Sequence, residues 1–458
     1  MIRRALTLPL LLCTVAACTP VGPDYARPEI ALTATFSESS AGPIGEVAAR
    51  RWWVSFGDPV LTGLVDRGLA QNLDIAGALE RIRASQAALR GTGLADAVSG
   101  DLTASSTRSG ADNTPVTTSD SGSLSAALVL DLFGGIRRAR EGAVADLAGA
   151  RADEGTARLA YLSSIVGAYI EARYYQEAIA LTRQTIASRE ETLEITRRQR
   201  AAGAATELDE AQVTALLDAA RADIPGMEAS FLAQVYSIAT LLGEPAAPLV
   251  RQMQAGRAQP RPRVGAATGV PADLLRNRPD VRAAEMDLAS ATADIGVAEA
   301  ALWPSITLSG TATAGSGGAW SFGPALSLPV LGQPALRASR DQAISAARQA
   351  EITWRNTVLG AVEDVQSADS AWRRDRQTVT LLNRSAASYA RALELSRDSF
   401  NRGTLALLDL LDTDRSLASA RLSLAGAIRD MSVDWATLQV ALGAGAYVGS
   451  PDGSSGGQ

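Results

Sequence analysis

The sequence predicts a mostly α-helical chain with a β-barrel part, built as an internal duplication. Three observations predict this fold class. Two long runs without proline, 136–201 and 335–402, are dominated by Ala, Arg, Glu and Leu. Each run follows a stretch of alternating, nearly uncharged residues, and related motifs recur 200 residues apart. We therefore expect two very long helices and four strands.

The first segment has the features of a bacterial export signal. A pair of arginines precedes an apolar run over 5–12, which is too short to span a bilayer. The following VAAC resembles a lipobox, in which the cysteine is diacylated and becomes the mature N-terminus. We predict a signal peptide over 1–17, palmitate-bearing lipid at Cys18, and a lipidated N-terminal and equatorial segment over 18–70. An ordinary signal with an incidental cysteine is the alternative.

Composition argues against several classes of function. The chain is mildly acidic, with 43 basic against 49 acidic residues, and nothing in this balance suggests the basic patch of a nucleic-acid binder. Histidine is absent, which rules out Ser-His-Asp and Cys-His catalysis and removes the commonest zinc ligand. No glycine-rich phosphate loop precedes a helix. We predict no enzyme activity, no cofactor, no metal site and no nucleic-acid partner.

Two halves of the chain repeat each other. The stretch AAGAATELDEAQVTALLDAAR (201–221) aligns without a gap on NRGTLALLDLLDTDRSLASAR (401–421). Each half has the order helix, two strands, very long helix, helix. The predicted divisions are a first repeat over 71–243, a linker without its own core over 244–271, a second repeat over 272–443 and a disordered tail over 444–458.

Four strands are predicted, at about 100–109, 122–133, 304–314 and 320–331. The last three alternate with a period of two, and the first is polar and weakly patterned. One face is apolar and the other carries hydroxyl groups, as a strand between lipid and water requires. A half-buried hairpin in a soluble sheet has the same period. The lipobox, and Trp303 and Trp320 near strand ends, favour the membrane. The predicted lipid-facing residues are Leu128, Leu130, Ile306, Leu308, Trp320, Phe322, Leu326 and Leu328.

Four strands cannot close a barrel, and open strand edges are not tolerated in lipid. We therefore predict that three copies pool their strands into one trimeric, 12-stranded barrel. The long helices, each of roughly 65 residues at 1.5 Å per residue, would continue it as a cylinder of about 100 Å.

Several motifs together give the sequence a family resemblance. They are CTPVGPDYARP (18–28), RWWVSFGDPVLTGLV (51–65), DLFGGIRRA (131–139), LLRNRPDVRAAE (274–285), WSFGPALSLPV (320–330) and GTLALLDLLDTDRSL (403–417). The chain resembles the TolC-like outer-membrane factors, in the lipoprotein branch of multidrug efflux. The resemblance implies a homotrimer in the outer membrane, an α-helical periplasmic tunnel, and docking onto a periplasmic adaptor and an inner-membrane pump.

The resemblance also implies a periplasmic gate at Leu405 and Asp409. Four residues apart, they are expected on one helix face. Asp412 is expected to join the charged ring, and Asp414 to pair with an arginine. The alternative is that these carboxylates stabilise a helix N-terminus, as Asp209 would.

We predict a passive outer-membrane channel for drugs or other small solutes. A type I protein-secretion tunnel and a lipid-anchored periplasmic coiled-coil scaffold are the two alternatives.

Overall fold

The computed structural model describes residues 20–38, 42–45, 47–113, 115–265, 267–315 and 318–447. The predicted signal peptide, Cys18 and most of the predicted tail lie outside them. The described chain is mostly helical. After a 3₁₀ helix (Trp52–Phe56), the elements are α1 (Pro59–Gln71), α2 (Leu73–Gly91), α3 (Leu94–Ala97), β1 (Val98–Ser109), β2 (Thr117–Leu130), α4 (Gly135–Ala201), α5 (Glu207–Leu242), α6 (Ala246–Gln254), α7 (Pro271–Asn277), α8 (Pro279–Ala300), β3 (Ser305–Ala314), β4 (Ala319–Ser327), α9 (Gln333–Asn401) and α10 (Leu407–Ala441).

The chain divides into two compact units. The first comprises the described residues within 1–31, 78–154 and 280–358, and it contains the sheet. The second comprises the described residues within 32–77, 155–279 and 359–458, and it contains α5, α10 and the C-terminal parts of the two long helices. An aromatic core lies in this second unit, where Trp435 meets Trp52 and Phe56 edge to face, with ring centroids 5.8 and 5.2 Å apart.

The four strands form one antiparallel sheet in the order β1-β2-β3-β4. Two strands end earlier than predicted. β2 ends at Leu130 because Asp131 instead caps α4, accepting hydrogen bonds from the amides of Ile136 (3.1 Å) and Arg137 (3.0 Å). β4 ends at Ser327, since the nearby Pro329 has no amide hydrogen for a ladder.

The long helices end in matching turns. The amides of Gly203 and Ala204 donate to the carbonyls of Arg200 and Gln199, at 2.9 and 2.8 Å. The same pair of bonds ends α9 at Gly403, and both glycines have a φ of 76°. This is a Schellman turn, which favours glycine because the backbone is left-handed there. The repeated geometry at an offset of 200 residues supports the predicted duplication.

The linker and the tail differ from expectation in part. The predicted linker contains helix α6, which buries Leu249 and Met253 four residues apart on one face. The first residues of the predicted tail are packed, because the Trp52 indole donates to the Ala444 carbonyl (3.1 Å) and Ala446 is fully buried. Small side chains allow this close approach to the aromatic core.

Within the described residues, none of the helices combines the length and the apolar character that crossing a membrane demands.

Candidate functional site

One face of the sheet is apolar across all four strands. Residues paired across antiparallel strands share a face, so the register defines its rows. Counted from the end of the sheet where Leu130 lies, the first four rows are Leu130–Ile306–Leu326, Val98–Leu128–Leu308–Pro324, Gly100–Ala126–Gly310–Phe322 and Leu102–Leu124–Ala312–Trp320. The large side chains of β4 are exposed in the single chain, at 83% for Trp320 and 69% for Phe322. A contiguous exposed apolar surface of this kind marks contact with lipid or protein.

The structure therefore places seven of the eight predicted lipid-facing residues on one face. Leu328 is the exception, because it follows the end of β4. Trp303 is half exposed and stacks on Phe133, with ring centroids 5.1 Å apart and planes at 14°.

The opposite face carries hydroxyl groups. Its rows include Ser99–Ala127–Ser309–Gly323 and Thr103–Ser123–Thr313–Ala319, and the Ser105 and Ser121 hydroxyls are 2.8 Å apart. The row between them contains Asp101, paired with Ser125 and followed by Thr311 and Ser321. Across the four described strands, Asp101 is the only ionisable residue on this face. The other two strand charges, Arg108 and Asp120, occupy the opposite face.

Sequence reasoning missed Asp101, since its strand looked polar and weakly patterned. The sequence alternation in β2 shows which of its residues share a face. For β1 it does not, and the face of Asp101 follows only from the pairing of Asp101 with Ser125 of β2.

The two gate candidates do not share a helix face, which corrects the prediction. Helix α10 begins at Leu407, so Leu405 precedes it in the turn after α9. Leu405 is partly buried and packs on a cluster that includes Phe400, Leu407 and Leu410. Leu405 and Asp409 are not one helical turn apart, because Leu405 lies between the Schellman turn that ends α9 and the extended N-cap residue Ala406 of α10.

Asp409 lies at the third position of α10, in its first turn, and is exposed. This position is the one that the alternative interpretation requires, in which the carboxylate stabilises a helix N-terminus. Ala406, the N-cap, has no side chain that could accept from the helix amides, and no side-chain hydrogen bond forms there. The equivalent carboxylate of the first repeat, Asp209, accepts from the Thr206 amide at 2.8 Å, and Thr206 Oγ1 accepts from the Asp209 amide in return.

In this capping box the Asp209 carboxylate accepts hydrogen bonds at the N-terminus of its own helix, as predicted. The hydrogen bonds from Thr206 hold the pKa of Asp209 below its ordinary value. Among the described residues, no side chain or cap residue donates such hydrogen bonds to the Asp409 carboxylate.

The next two carboxylates of α10, Asp412 and Asp414, have different surroundings. Asp412 is exposed and forms an ion pair with Arg415 at 3.1 Å on the same helix. Asp414 is buried and pairs with Arg189 of α4 at 2.8 Å, which confirms the predicted pairing with an arginine. Ser188 also donates to Asp414, at 3.1 Å.

The comparisons with known proteins identify the architecture. The sequence model of the outer membrane efflux protein family matches residues 64–244 and 270–444. The chain belongs to this family. Nodulation protein T of Rhizobium leguminosarum bv. trifolii is similar to it, at 40% identity over 96% of this chain and 97% of that protein.

Two further proteins resemble this efflux protein along most of its length. The pyoverdine export outer membrane protein OpmQ of Pseudomonas aeruginosa is 31% identical over 90% of this chain and 91% of its own. The solved structure of the outer-membrane channel OprN superimposes with a TM-score of 0.83 and 30% identity, covering 93% of this chain and 99% of that one.

The fold is thus that of a TolC-like outer-membrane channel, and the protein is an outer-membrane component of efflux. Its family is one of channels and not of enzymes. This favours the channel over the coiled-coil scaffold.

Proposed function

We propose that three copies of this efflux protein close a 12-stranded barrel in the outer membrane and conduct small solutes passively. The observation that carries the proposal is the sheet, with one apolar face, one hydroxyl face, and β1 and β4 at its edges. An edge strand in lipid leaves amide and carbonyl groups unpaired, so β1 of one copy must pair with β4 of another.

In this arrangement the apolar rows contact lipid and the hydroxyl rows line water. Lipid on Cys18 adds membrane affinity at the start of the mature chain. A periplasmic adaptor and an energised inner-membrane pump would deliver drugs or other small solutes to the periplasmic end. The named relative that exports pyoverdine supports a small-solute cargo over a secreted protein.

We propose that Asp409 and Asp412 form the charged part of the periplasmic gate. Both are exposed on the first turns of α10, and threefold symmetry would repeat each of them around the axis. Rings of carboxylates favour cations. Leu405 contributes through the cluster that supports this turn, and not as a second ring on the same helix face.

Asp101 adds a second ring of charge, inside the barrel. Three copies place three carboxylates on an otherwise uncharged hydroxyl surface. A fixed negative charge raises the local concentration of cations and lowers that of anions, and salt screens this effect.

Single-channel recording in planar bilayers tests the channel and its gate. We expect small, cation-preferring currents from the native protein and larger or less selective currents from Asp409→Ala. Asp209→Ala is the matched control, because it removes the same charge from the equivalent turn of the first repeat. Equal currents from the native protein and Asp409→Ala would show that Asp409 does not gate the channel. No current from a folded trimer would contradict the channel itself.

The barrel charge is tested in the same system with Asp101→Asn. At about 10 mM salt, where the Debye length is about 30 Å, we expect the cation-to-anion permeability ratio to fall about threefold. In about 1 M salt, where it is about 3 Å, native and variant should agree. Asp120→Asn, on the opposite face of the sheet, should change neither value. A permeability ratio unaffected by Asp101→Asn at low salt would remove Asp101 from the conduction path.

A further inference from the structure

A cleft of about 600 Å³ in the second unit is lined by four arginines. Three of them, Arg257, Arg261 and Arg263, belong to the segment between α6 and α7, and Arg421 projects from α10. The channel proposal assigns this cleft no role. A concentration of positive charge is unusual in a chain whose net charge is −6.

The segment that carries three of the arginines is anchored to its surroundings. Gln259 Nε2 donates to the Ala425 carbonyl (3.1 Å), and Ser432 Oγ donates to the Pro260 carbonyl (2.8 Å). The Arg263 amide donates to the Ser55 carbonyl (3.1 Å). Prolines at 260 and 262 restrict the backbone further. The arginines therefore project from a backbone that is held in place, and little backbone conformational entropy is lost when they bind a ligand.

Arg421 lacks the partners that its counterpart has. In the first repeat, Arg221 pairs with Glu190 (2.7 Å) and Asp218 (3.4 Å). The positions 200 residues later are alanines, Ala390 and Ala418. Loss of both carboxylates leaves the Arg421 guanidinium without an ion pair among the described residues, and it is only partly exposed.

The carboxylates of the cleft do not neutralise it. Arg257 lies 4.0 Å from Asp58, which already accepts from the Val60 amide (2.9 Å) and the Tyr169 hydroxyl (2.5 Å). Glu177 is the other acidic lining residue. No ion pair of Arg261 or Arg263 is found within the described part of the chain, so an excess of positive charge remains.

One buried acceptor also lacks a donor. Gln259 lines the cleft and is 9% exposed, and its Oε1 has no hydrogen-bond partner among the described residues. A buried polar atom without a partner costs free energy, and a ligand with an N–H group could satisfy it.

We propose that this cleft binds an acidic peptide segment of a partner protein. Carboxylates match the planar, bidentate donor geometry of arginine, and a peptide also brings the N–H donors that Gln259 Oε1 lacks. Inorganic phosphate is also an anion, but its oxygens are mainly hydrogen-bond acceptors, and it has no N–H group to donate to Gln259 Oε1. This proposal is independent of the channel and its gate.

The test uses the full chain in detergent and a short fluorescein-labelled poly-glutamate peptide, followed by fluorescence anisotropy. We expect saturable binding that weakens at least about tenfold when Arg261 and Arg263 are both changed to glutamine, since the two charge-assisted hydrogen-bond donors are then lost. Both residues are exposed, so these changes should leave the thermal unfolding temperature unaltered.

Arg421→Gln should weaken binding as well, whereas Arg221→Gln, the paired counterpart, should not. Equal losses in Arg421→Gln and Arg221→Gln would indicate attraction to overall charge and overturn the site. Competition by inorganic phosphate at the peptide's own concentration would overturn the peptide as ligand in favour of a simple anion site. Because no conductance is measured, failure here leaves the channel proposal standing.

Discussion

Asp209 and Asp409 occupy the same position in equivalent helices and have different surroundings. Both are third in their helix, after a Schellman turn. The difference comes from the N-cap residue three positions earlier, because the Thr206 side chain can accept a hydrogen bond from its helix and Ala406 cannot. One hydroxyl group therefore decides whether the carboxylate serves its own helix terminus or faces outward, where a symmetric assembly could use it.

Exchanging the two caps tests this difference. Thr206→Ala should lower the free energy of unfolding by about 1 kcal/mol, the usual contribution of an N-cap. Ala406→Thr should raise it by about 0.5–1 kcal/mol, since it recreates the capping box with Asp409. Thermal unfolding followed by circular dichroism measures both changes. Ala406→Val, of similar size but without the hydroxyl, should not stabilise; stabilisation by valine would assign the effect to packing.

Between α9 and α10, charges of the same sign face each other. Asp375 of α9 lies beside Asp434 of α10, with Asp430 one turn away. Arg429 is directed elsewhere, to Asp430 at 2.7 Å and towards Glu171 of α4 at 3.5 Å. Burial, and then the neighbouring Asp375, raise the pKa of Asp434 to about 6. The contact between these two helices is thus more favourable when one of the carboxyls is protonated.

The stability of this contact should depend on pH. Because the pKa of Asp434 is raised on folding, this carboxyl binds its proton more fully in the folded chain than in the unfolded chain between about pH 4 and about pH 6. The free energy of unfolding should therefore fall as the pH rises through that window. Asp434→Asn should flatten this part of the profile and stabilise the protein at pH 7.

Denaturation at stepped pH measures this effect. The exposed Asp223 of α5 provides the control, because Asp223→Asn should leave the slope unchanged. A slope that survives in Asp434→Asn would mean that other groups carry the pH dependence.

At the scale of the whole molecule, the described chain has a sheet with two free edges and no partner for either. Its family members are trimeric channels, and pairing of β1 with β4 between copies would satisfy both edges at once. The proposed closed ring would also account for the apolar face that is exposed in one chain, because lipid would cover that face in the membrane.

Cysteine cross-linking tests the pairing of the edges. Ser321→Cys on β4 is combined in turn with Thr103→Cys, Ser105→Cys and Thr107→Cys on β1, on the hydroxyl face of both strands. At least one combination should give a covalent trimer on a non-reducing gel, since disulfides form only within about 7 Å between Cα atoms. Each single variant should remain monomeric on the gel. Cross-links in no combination would contradict β1–β4 pairing.

The sequence by itself determined the local elements of this protein. Period-two alternation in 304–314 encodes a strand with two different faces, and the proline-free runs encode long helices, because each pattern depends on neighbouring residues alone. The capping box of Thr206 and Asp209 was predictable for the same reason, because it depends on residues three positions apart. The motifs likewise sufficed for the family.

Only the tertiary structure decided which groups meet. It moved Leu405 out of the helix and into a cluster with Phe400, because a turn and a cap intervene that spacing does not reveal. It set the register that places Asp101 on the hydroxyl face. It also left Arg421 without an ion pair among the described residues, whereas Arg221 has two. Partners of this kind come from distant parts of the chain, so their positions follow from packing and not from any local period.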